Sequence, residues 1–120
     1  MTSTIKTYRD LEVWKQSMEL TVQVYDLTQK LPPHEQFGLI SQMRRAAVSI
    51  PSNIAEGHSR RGKKELSHQA SIAKGSLAEL ETQMILCTRL KYIDREALVP
   101  IWDQAQQVGK LLSGLLKSLR

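Results

Sequence analysis

The chain has 120 residues, which corresponds to one domain that buries enough apolar surface to fold without a disulfide or a structural metal. Its 17 Lys and Arg residues exceed its 12 Asp and Glu residues, and the formal charge of +5 suits an anionic partner such as nucleic acid. A single cysteine excludes an intramolecular disulfide, and no apolar run approaches the length of about 18 residues that a membrane span needs. Because the opening residues MTSTIKTYRD lack an apolar core typical of a signal peptide, we expect a protein of a bacterial cytoplasm.

The first predicted helix carries two apolar stripes. The first stripe, preceded by Thr7 and Asp10 at the spacing of a capping box, consists of Leu11, Trp14, Met18, Val22 and Tyr25. The second stripe lies more than about 100° away around the helix and consists of Val13, Leu20, Val24, Leu27 and Leu31. We expect the helix to end near Lys30, residues 1–7 to be flexible, and residues 8–120 to form one domain.

The second predicted helix starts after the punctuating segment LPPHE, where Pro33 fits a first helical position and Glu35 suits the positive end of the helix dipole. One helical phase is held by Phe37, Ile40, Met43, Ala47, Ile50 and Ile54. This phase continues across Pro51, which predicts a single helix over about residues 33–56 with a kink at Pro51. Gly57 is then expected as the residue that follows the helix.

Two further helices show a strict four-three alternation of apolar residues. The third carries Leu66, Ala70, Ala73, Leu77, Leu80, Met84 and Cys87; the fourth carries Leu98, Ile101, Ala105, Val108, Leu112, Leu115 and Leu119. Gly62 and Asp94 are the expected N-caps, and Pro100 predicts irregular first turns or a later start for the fourth helix. No segment alternates like a strand. The sequence therefore predicts an all-α, up-down-up-down antiparallel four-helix bundle with long helices.

The segment EGHSRRGKKE contains Gly57-x-x-x-x-Gly62-Lys63, which matches part of the phosphate-binding P-loop. A P-loop needs Ser or Thr after its Lys and a buried strand before its first Gly. Here Lys64 occupies the position of the Ser or Thr, and the segment before Gly57 is predicted to be helical. We therefore interpret the segment as a basic turn whose Arg60, Arg61, Lys63 and Lys64 either contact phosphate or are merely solvated.

Two sets of residues suggest contacts beyond a plain bundle. A candidate subunit interface combines the second stripe of helix 1 with a small-residue face of helix 3, namely Val13, Leu20, Val24, Leu27, Ser71, Gly75, Ala78 and Thr82. The alternative is that a wide core absorbs both stripes. A structural polar stripe on helix 2 consists of Arg45, Ser49, Ser52, Asn53 and Glu56. Its serines are expected to satisfy carbonyls freed near Pro51 and its charged ends to pair with other helices or subunits. The alternative is that the stripe lines a groove for a ligand or RNA.

Catalytic and metal chemistry find little support. Cys87 lies on the predicted core seam, where we expect a buried thiol, and no Cys or His spacing approaches a zinc site. The three histidines, His34, His58 and His68, stand at helix ends without a nucleophile at a meaningful spacing. We expect no enzyme activity, no cofactor and no metal.

Four segments carry a resemblance to a known family: YRDLEVWKQSMEL, LPPHEQFGLISQMRRAAVSIPSNIAEG, SIAKGSLAELETQMILCTRLKYID and VGKLLSGLLKSL. They resemble the four-helix-bundle proteins encoded within intervening sequences of bacterial 23S ribosomal RNA genes. That family is similar in fold to the accessory variability determinant of diversity-generating retroelements, a basic ring-forming protein that works with a reverse transcriptase and nucleic acid. The resemblance implies a homopentameric ring with a basic surface or channel, and it assigns no catalytic residue.

From these observations we expect a non-enzymatic, homo-oligomeric protein that binds RNA or DNA. Arg60, Arg61, Lys63 and Lys64 are the leading contacts, and Arg44 and Arg45 are weaker candidates. An oligomeric scaffold or protein adaptor without nucleic-acid affinity is the alternative. A reverse transcriptase or a ribosomal component stays open as a partner.

Overall fold

Four helices form the protein, which we describe over residues 5–120 of a computed structural model. They are α1 (Glu12–Thr28), α2 (Ser41–Ser59), α3 (Lys63–Arg89) and α4 (Arg95–Ser118). Both α1 and α3 pack against α2 and α4, so α1 and α3 occupy opposite corners of a body measuring 49 × 25 × 21 Å. Helices adjacent in sequence pack side by side, which confirms the predicted up-down-up-down bundle.

The start of the described chain confirms the predicted capping box. Thr7 Oγ1 accepts a hydrogen bond from the Arg9 amide at 3.2 Å, and the Asp10 carboxylate accepts one from the Thr7 amide at 3.1 Å. The box closes a short 3-10 turn, Tyr8–Asp10, that precedes α1. Of the segment predicted to be flexible, residues 1–4 lie outside the described residues.

The core follows the predicted seams of α2, α3 and α4. Its largest fully buried side chains from these helices are Met43, Ile50, Ile54, Leu80, Met84 and Leu112. The Asp94 and Gly62 N-caps are confirmed in position, although neither supplies a side-chain cap. Pro100 lies inside α4 as its sixth residue and does not delay the start of the helix at Arg95. Its missing amide deprives only the carbonyl of Glu96, an exposed residue, of its helical donor.

The face that α1 turns inward is the opposite of the one expected. The candidate interface residues Val13, Leu20, Val24 and Leu27 lie in the core of the chain itself, and Leu31 is buried with them. They are therefore not available to a second subunit, and this part of the interface prediction was wrong. The first stripe faces outward instead: Leu11 and Trp14 are partly buried, and Met18, Val22 and Tyr25 are exposed.

The helical path into α2 starts at Pro33, as predicted, but it is not uniform. A 3-10 turn (Pro33–Glu35) leads into a π-helical turn (Gln36–Ile40), and Gly38 there has φ −108° and ψ −114°. The wider π turn shifts the side-chain register before Ser41. Phe37, predicted in the core phase, is therefore 89% exposed, and Leu39 is buried instead. Pro51 lies inside α2 without ending it, as the continuous phase predicted.

Gly57 has a packing role rather than the predicted capping role. It lies within α2, and a Cβ added to it would stand 2.8 Å from Gln69 Cβ and 3.1 Å from the Leu66 Cα atom. Glycine therefore allows α2 and α3 to approach closely near their shared turn. The left-handed residue of that turn is Arg61, with φ 56°.

None of the helices in residues 5–120 is both long enough and apolar enough to cross a membrane.

Candidate nucleic-acid interface

The turn between α2 and α3 presents four cations within five residues. Arg60 is the C-cap of α2, Arg61 takes the left-handed conformation, and Gly62 is the extended N-cap of α3. Lys63 and Lys64 are the first two residues of α3. All four basic side chains are exposed, so the structure places the leading candidates together on one surface.

Helix stability does not explain why the two lysines stand at this position. The N-terminus of a helix carries partial positive charge and favours acidic side chains, so Lys63 and Lys64 oppose the α3 dipole. The charge of Arg60 is partly offset by Glu56, whose carboxylate lies 3.5 Å away on the preceding turn. An anion at the start of α3 would interact favourably with both lysines and with the amides that the first helical turn leaves unpaired.

The whole molecule is polarised along its length in the same sense. The α2–α3 turn lies at the same end as the start of α1 and the end of α4. The half of the bundle at that end comprises residues 5–19, 50–75 and 106–120 and contains eleven Lys and Arg residues and five Asp and Glu residues, a formal charge of +6. The opposite half contains six Lys and Arg residues and seven Asp and Glu residues, a formal charge of −1. We use the name basic end for the exposed cations at the tip of the positively charged half: Lys6, Arg9, Arg60, Arg61, Lys63, Lys64, Lys117 and Arg120.

The weaker candidates Arg44 and Arg45 do not join the basic end. The Arg44 guanidinium donates a hydrogen bond to Thr28 Oγ1 at 2.9 Å and lies 4.5 Å from the centre of the Tyr25 ring. These contacts hold it against the C-terminal turn of α1, where a cation also complements the helix dipole. Arg45 is exposed beside a polar groove of about 410 Å³ between α2 and α3.

The polar stripe of α2 joins two helices through its middle residues only. Ser49 Oγ and Ser76 Oγ lie 2.7 Å apart, and Asn53 Nδ2 donates to the Ser49 carbonyl at 2.7 Å and to Ser49 Oγ at 2.9 Å. Ser52 is exposed. The two serines were expected to satisfy carbonyls near Pro51, and neither hydroxyl does so.

The charged ends of the stripe also differ from expectation. Arg45 and Glu56 are both exposed, and Glu56 pairs with Arg60 one turn along rather than with another helix. A surface pair of this kind contributes only about 0–1 kcal/mol to stability. The ends of the stripe are therefore surface charges in the single chain.

Nucleophilic and metal chemistry are not supported by the described residues. Burial raises the pKa of the Cys87 thiol to about 11, with a smaller contribution from the Glu35 charge, and Cys87 Sγ packs 3.6 Å from Met43 Sδ. The thiol is therefore protonated at neutral pH, as predicted for a core cysteine. Residues 5–120 contain no group of three or more His, Cys, Asp or Glu side chains placed to hold a metal ion.

An apolar outer face runs along α1 and α2, and its α1 residues belong to the stripe that was expected to face the core. It consists of Trp14, Met18, Val22, Tyr25 and Val48. A shallow groove of about 350 Å³ lies on this face, and its lining includes Trp14, Met18 and Val48. The small-residue face of α3, comprising Ser71, Gly75, Ala78 and Thr82, is exposed as expected and stays an interface candidate.

Comparisons with known proteins agree with the fold over nearly the whole chain. A crystal structure of a protein with unknown function from the S23 ribosomal protein family of Bacteroides thetaiotaomicron VPI-5482 matches with a TM-score of 0.81 and 27% identity. The match covers 88% of this chain and 98% of that chain. No curated protein matches. The family model of the 23S rRNA-intervening sequence protein matches residues 9–114, which include α1, α2, α3, the basic turn and most of α4. The chain therefore belongs to the 23S rRNA-intervening sequence protein family.

Proposed function

We propose that the protein is a non-enzymatic homo-oligomer that binds RNA or DNA through its basic end. The observation that carries the proposal is the separation of charge along the bundle, with a formal +6 on the half that contains the α2–α3 turn. Phosphate backbones are bound by clustered Lys and Arg side chains, which release counterions from the nucleic acid. The exposed lysines at the start of α3 support this function because they oppose the helix dipole and contribute nothing evident to the fold.

Assembly would multiply this contact. The apolar outer face lies mainly on α1, with Val48 on α2, and the small-residue face lies on α3. The helices α1 and α3 are at opposite corners of the bundle. A contact between them in two copies is head-to-tail, and such contacts generate a closed ring when the rotation between copies closes. Five copies are the number that the family resemblance implies. A ring with parallel subunits places the basic ends on one rim, where weak phosphate contacts add through multivalency.

The second candidate function is a scaffold or adaptor for another protein. It is favoured by the apolar outer face, because exposed apolar patches mark protein interfaces irrespective of the partner. Such an adaptor has no need for the basic end. The two functions therefore differ in whether neutralising the basic turn has any consequence.

The test measures binding of a fluorescent uridine-only RNA and a thymidine-only DNA across about 50 to 300 mM salt. Arg60, Arg61, Lys63 and Lys64 are all replaced by Gln. Each neutralised phosphate contributes about 0.7 to the salt slope of a single strand, so loss of one or two contacts flattens the slope by about one and weakens binding to both probes.

A control replaces Lys30, Arg45 and Lys91 by Gln. These three cations are exposed in the other half of the bundle, and Lys91, with φ 63°, matches the backbone of Arg61. We expect this variant to keep most of the affinity and the slope. Unchanged binding by the basic-turn variant, or an equal loss in both variants, would contradict a localised basic interface.

A further inference from the structure

A cavity of about 650 Å³ that is open to solvent lies between the C-terminal half of α3 and the N-terminal half of α4. This volume is typical of small-molecule sites, which range over about 300 to 1,000 Å³. Its lining combines Trp102 with aliphatic side chains such as Ile85 and Val99, and it adds the charged residues Arg89, Arg95 and Asp103. The cavity belongs to the half of the bundle opposite the basic end, so it is separate from the interface proposed above.

The charged groups of this cavity are distributed along its length. Arg89 is the last residue of α3 and Arg95 is the first of α4, so both guanidinium groups stand near the same end. Asp103 follows Arg95 by eight residues, a rise of about 12 Å along α4, and it adjoins Trp102. None of the three charged side chains makes a hydrogen bond or an ion pair with the part of the chain that the structure describes.

This arrangement favours a ligand with an anionic group at one end and a planar ring at the other. Two arginines bind a phosphate well because each guanidinium offers paired N–H donors. A tryptophan beside aliphatic side chains provides a surface on which a nucleobase stacks. A carboxylate binds best to two adjacent N–H donors, and guanine alone among the common bases presents such a pair, N1–H and the N2 amino group, on its Watson–Crick edge.

We propose that the α3–α4 cavity binds an unpaired guanine nucleotide. The base stacks on Trp102 with its N1–H and N2 amino group directed to Asp103, and the phosphate binds Arg89 and Arg95. The same chemistry is offered by a free guanosine monophosphate and by an unpaired guanosine within a single-stranded RNA. The site does not include the basic end, so this proposal and the proposed phosphate-backbone interface can each be correct without the other.

The test uses the full chain carrying Trp14→Phe, which leaves Trp102 as the only tryptophan. Trp102 fluorescence is titrated with the 5′-monophosphates of guanosine, adenosine, cytidine and uridine. We expect guanosine monophosphate to quench the fluorescence at the lowest concentration. Asp103→Asn lowers its affinity about ten-fold and removes the preference among bases, because an amide offers one acceptor where the carboxylate offers two. Arg89→Gln combined with Arg95→Gln weakens all four nucleotides.

Lys30→Gln combined with Lys91→Gln is the matched control, since it removes two cations outside the cavity lining, and it should change no affinity. A guanosine-containing RNA and a uridine-only RNA of equal length show whether the ligand is a free guanosine monophosphate or an unpaired guanosine within a single-stranded RNA. Quenching by the guanosine RNA alone assigns the site to RNA, and quenching by the mononucleotide as well assigns it to the nucleotide itself. Equal quenching by all four bases, no effect of Asp103→Asn, or no quenching by either guanosine ligand overturns the proposal.

Discussion

Pro51 removes one hydrogen-bond donor from the middle of α2, and a side chain from another helix takes its place. In a regular helix the amide of residue 51 would donate to the carbonyl of Ala47, four residues earlier. Thr21 Oγ1 of α1 lies 3.1 Å from that carbonyl and 2.8 Å from the Ser17 carbonyl of its own helix. The Thr21 hydroxyl thus links α1 to α2 at the position where the proline would otherwise leave a carbonyl unpaired.

A double-mutant cycle tests this link. Thr21→Val keeps the side-chain shape and removes the hydroxyl, so it should destabilise the chain by about 1 kcal/mol, as expected for a part-buried carbonyl that loses its donor. In a Pro51→Ala background the restored amide of residue 51 supplies the missing donor, and the same substitution should cost less than about half as much. Urea unfolding measures the four free energies. Thr21→Ser is the control that retains the hydroxyl, and equal costs of Thr21→Val in the two backgrounds would show that the link does not matter.

At the scale of elements, the segment before α2 is tied to the turn between α3 and α4. The Glu35 carboxylate accepts a hydrogen bond from the Leu39 amide at 3.0 Å and another from the Tyr92 hydroxyl at 2.9 Å. The Leu39 amide and, next, the Tyr92 hydroxyl lower the pKa of Glu35, and the Glu35 hydrogen bond raises the pKa of Tyr92. Gly38 makes room for this carboxylate, because an added Cβ would lie 2.5 Å from Glu35 Oε1.

The lowered pKa of Glu35 predicts a pH-dependent contribution to stability. A carboxyl whose folded pKa lies below its ordinary value of 4.5 stabilises the fold above that pH, and the contribution is lost as the pH falls through the lowered pKa. Glu35→Gln should therefore reduce stability at pH 7, and the difference from the wild type should shrink as the pH falls below 4.5. Tyr92→Phe should behave similarly but more weakly, because the Leu39 amide remains.

Urea unfolding at several pH values measures this effect. Glu96→Gln removes an exposed carboxylate near the same end of the bundle and serves as the control. A difference between Glu35→Gln and the wild type that stays constant from pH 7 to well below 4.5 would mean that Glu35 acts without its charge.

The helices themselves were predictable because each apolar seam is a local sequence pattern. Which face of α1 points into the core was not predictable in this way. Its inward seam is Val13, Ser17, Leu20, Val24, Leu27 and Leu31, which has the same four-three spacing as α3 and α4. Ser17 concealed that regularity. It is buried because its hydroxyl donates to the Trp14 carbonyl at 2.9 Å, so a polar residue fills a core position at little cost. The first stripe of α1 has larger apolar side chains, so the sequence pattern favoured that stripe as the one facing the core.

At the scale of the whole molecule, the position of the basic turn was predictable and the polarity of the bundle was not. Four cations in five residues are visible in the sequence, whereas Lys6, Arg9, Lys117 and Arg120 join them only because alternating helices bring both chain ends to that tip. The α3–α4 cavity has no local signal at all. Its charged residues are separated along the chain, and only antiparallel packing of the two helices places Arg89 and Arg95 at one end of it.

Because the first stripe of α1 faces outward and the second faces the core, the substitution that should disrupt the proposed homo-oligomer also changes. Val22 is 55% exposed on the apolar outer face, and Leu20, two residues earlier, is 0% exposed in the core. An aspartate at either position puts a charge among apolar groups, which is tolerated only where water or a polar partner reaches it. We therefore expect Val22→Asp to leave each chain helical and to prevent assembly, and Leu20→Asp to unfold the chain.

Light scattering at tens of micromolar protein, where an interface of modest affinity is largely occupied, measures the mass of the wild type and of both variants. Circular dichroism on the same samples follows their helical content. The expected result is a wild-type oligomer, a helical Val22→Asp monomer and a Leu20→Asp chain that has lost its helices. A monomeric wild type would remove the assembly proposal. A Val22→Asp oligomer of unchanged mass would place the subunit contact on another surface, because a buried aspartate facing a second copy costs more than such an interface supplies.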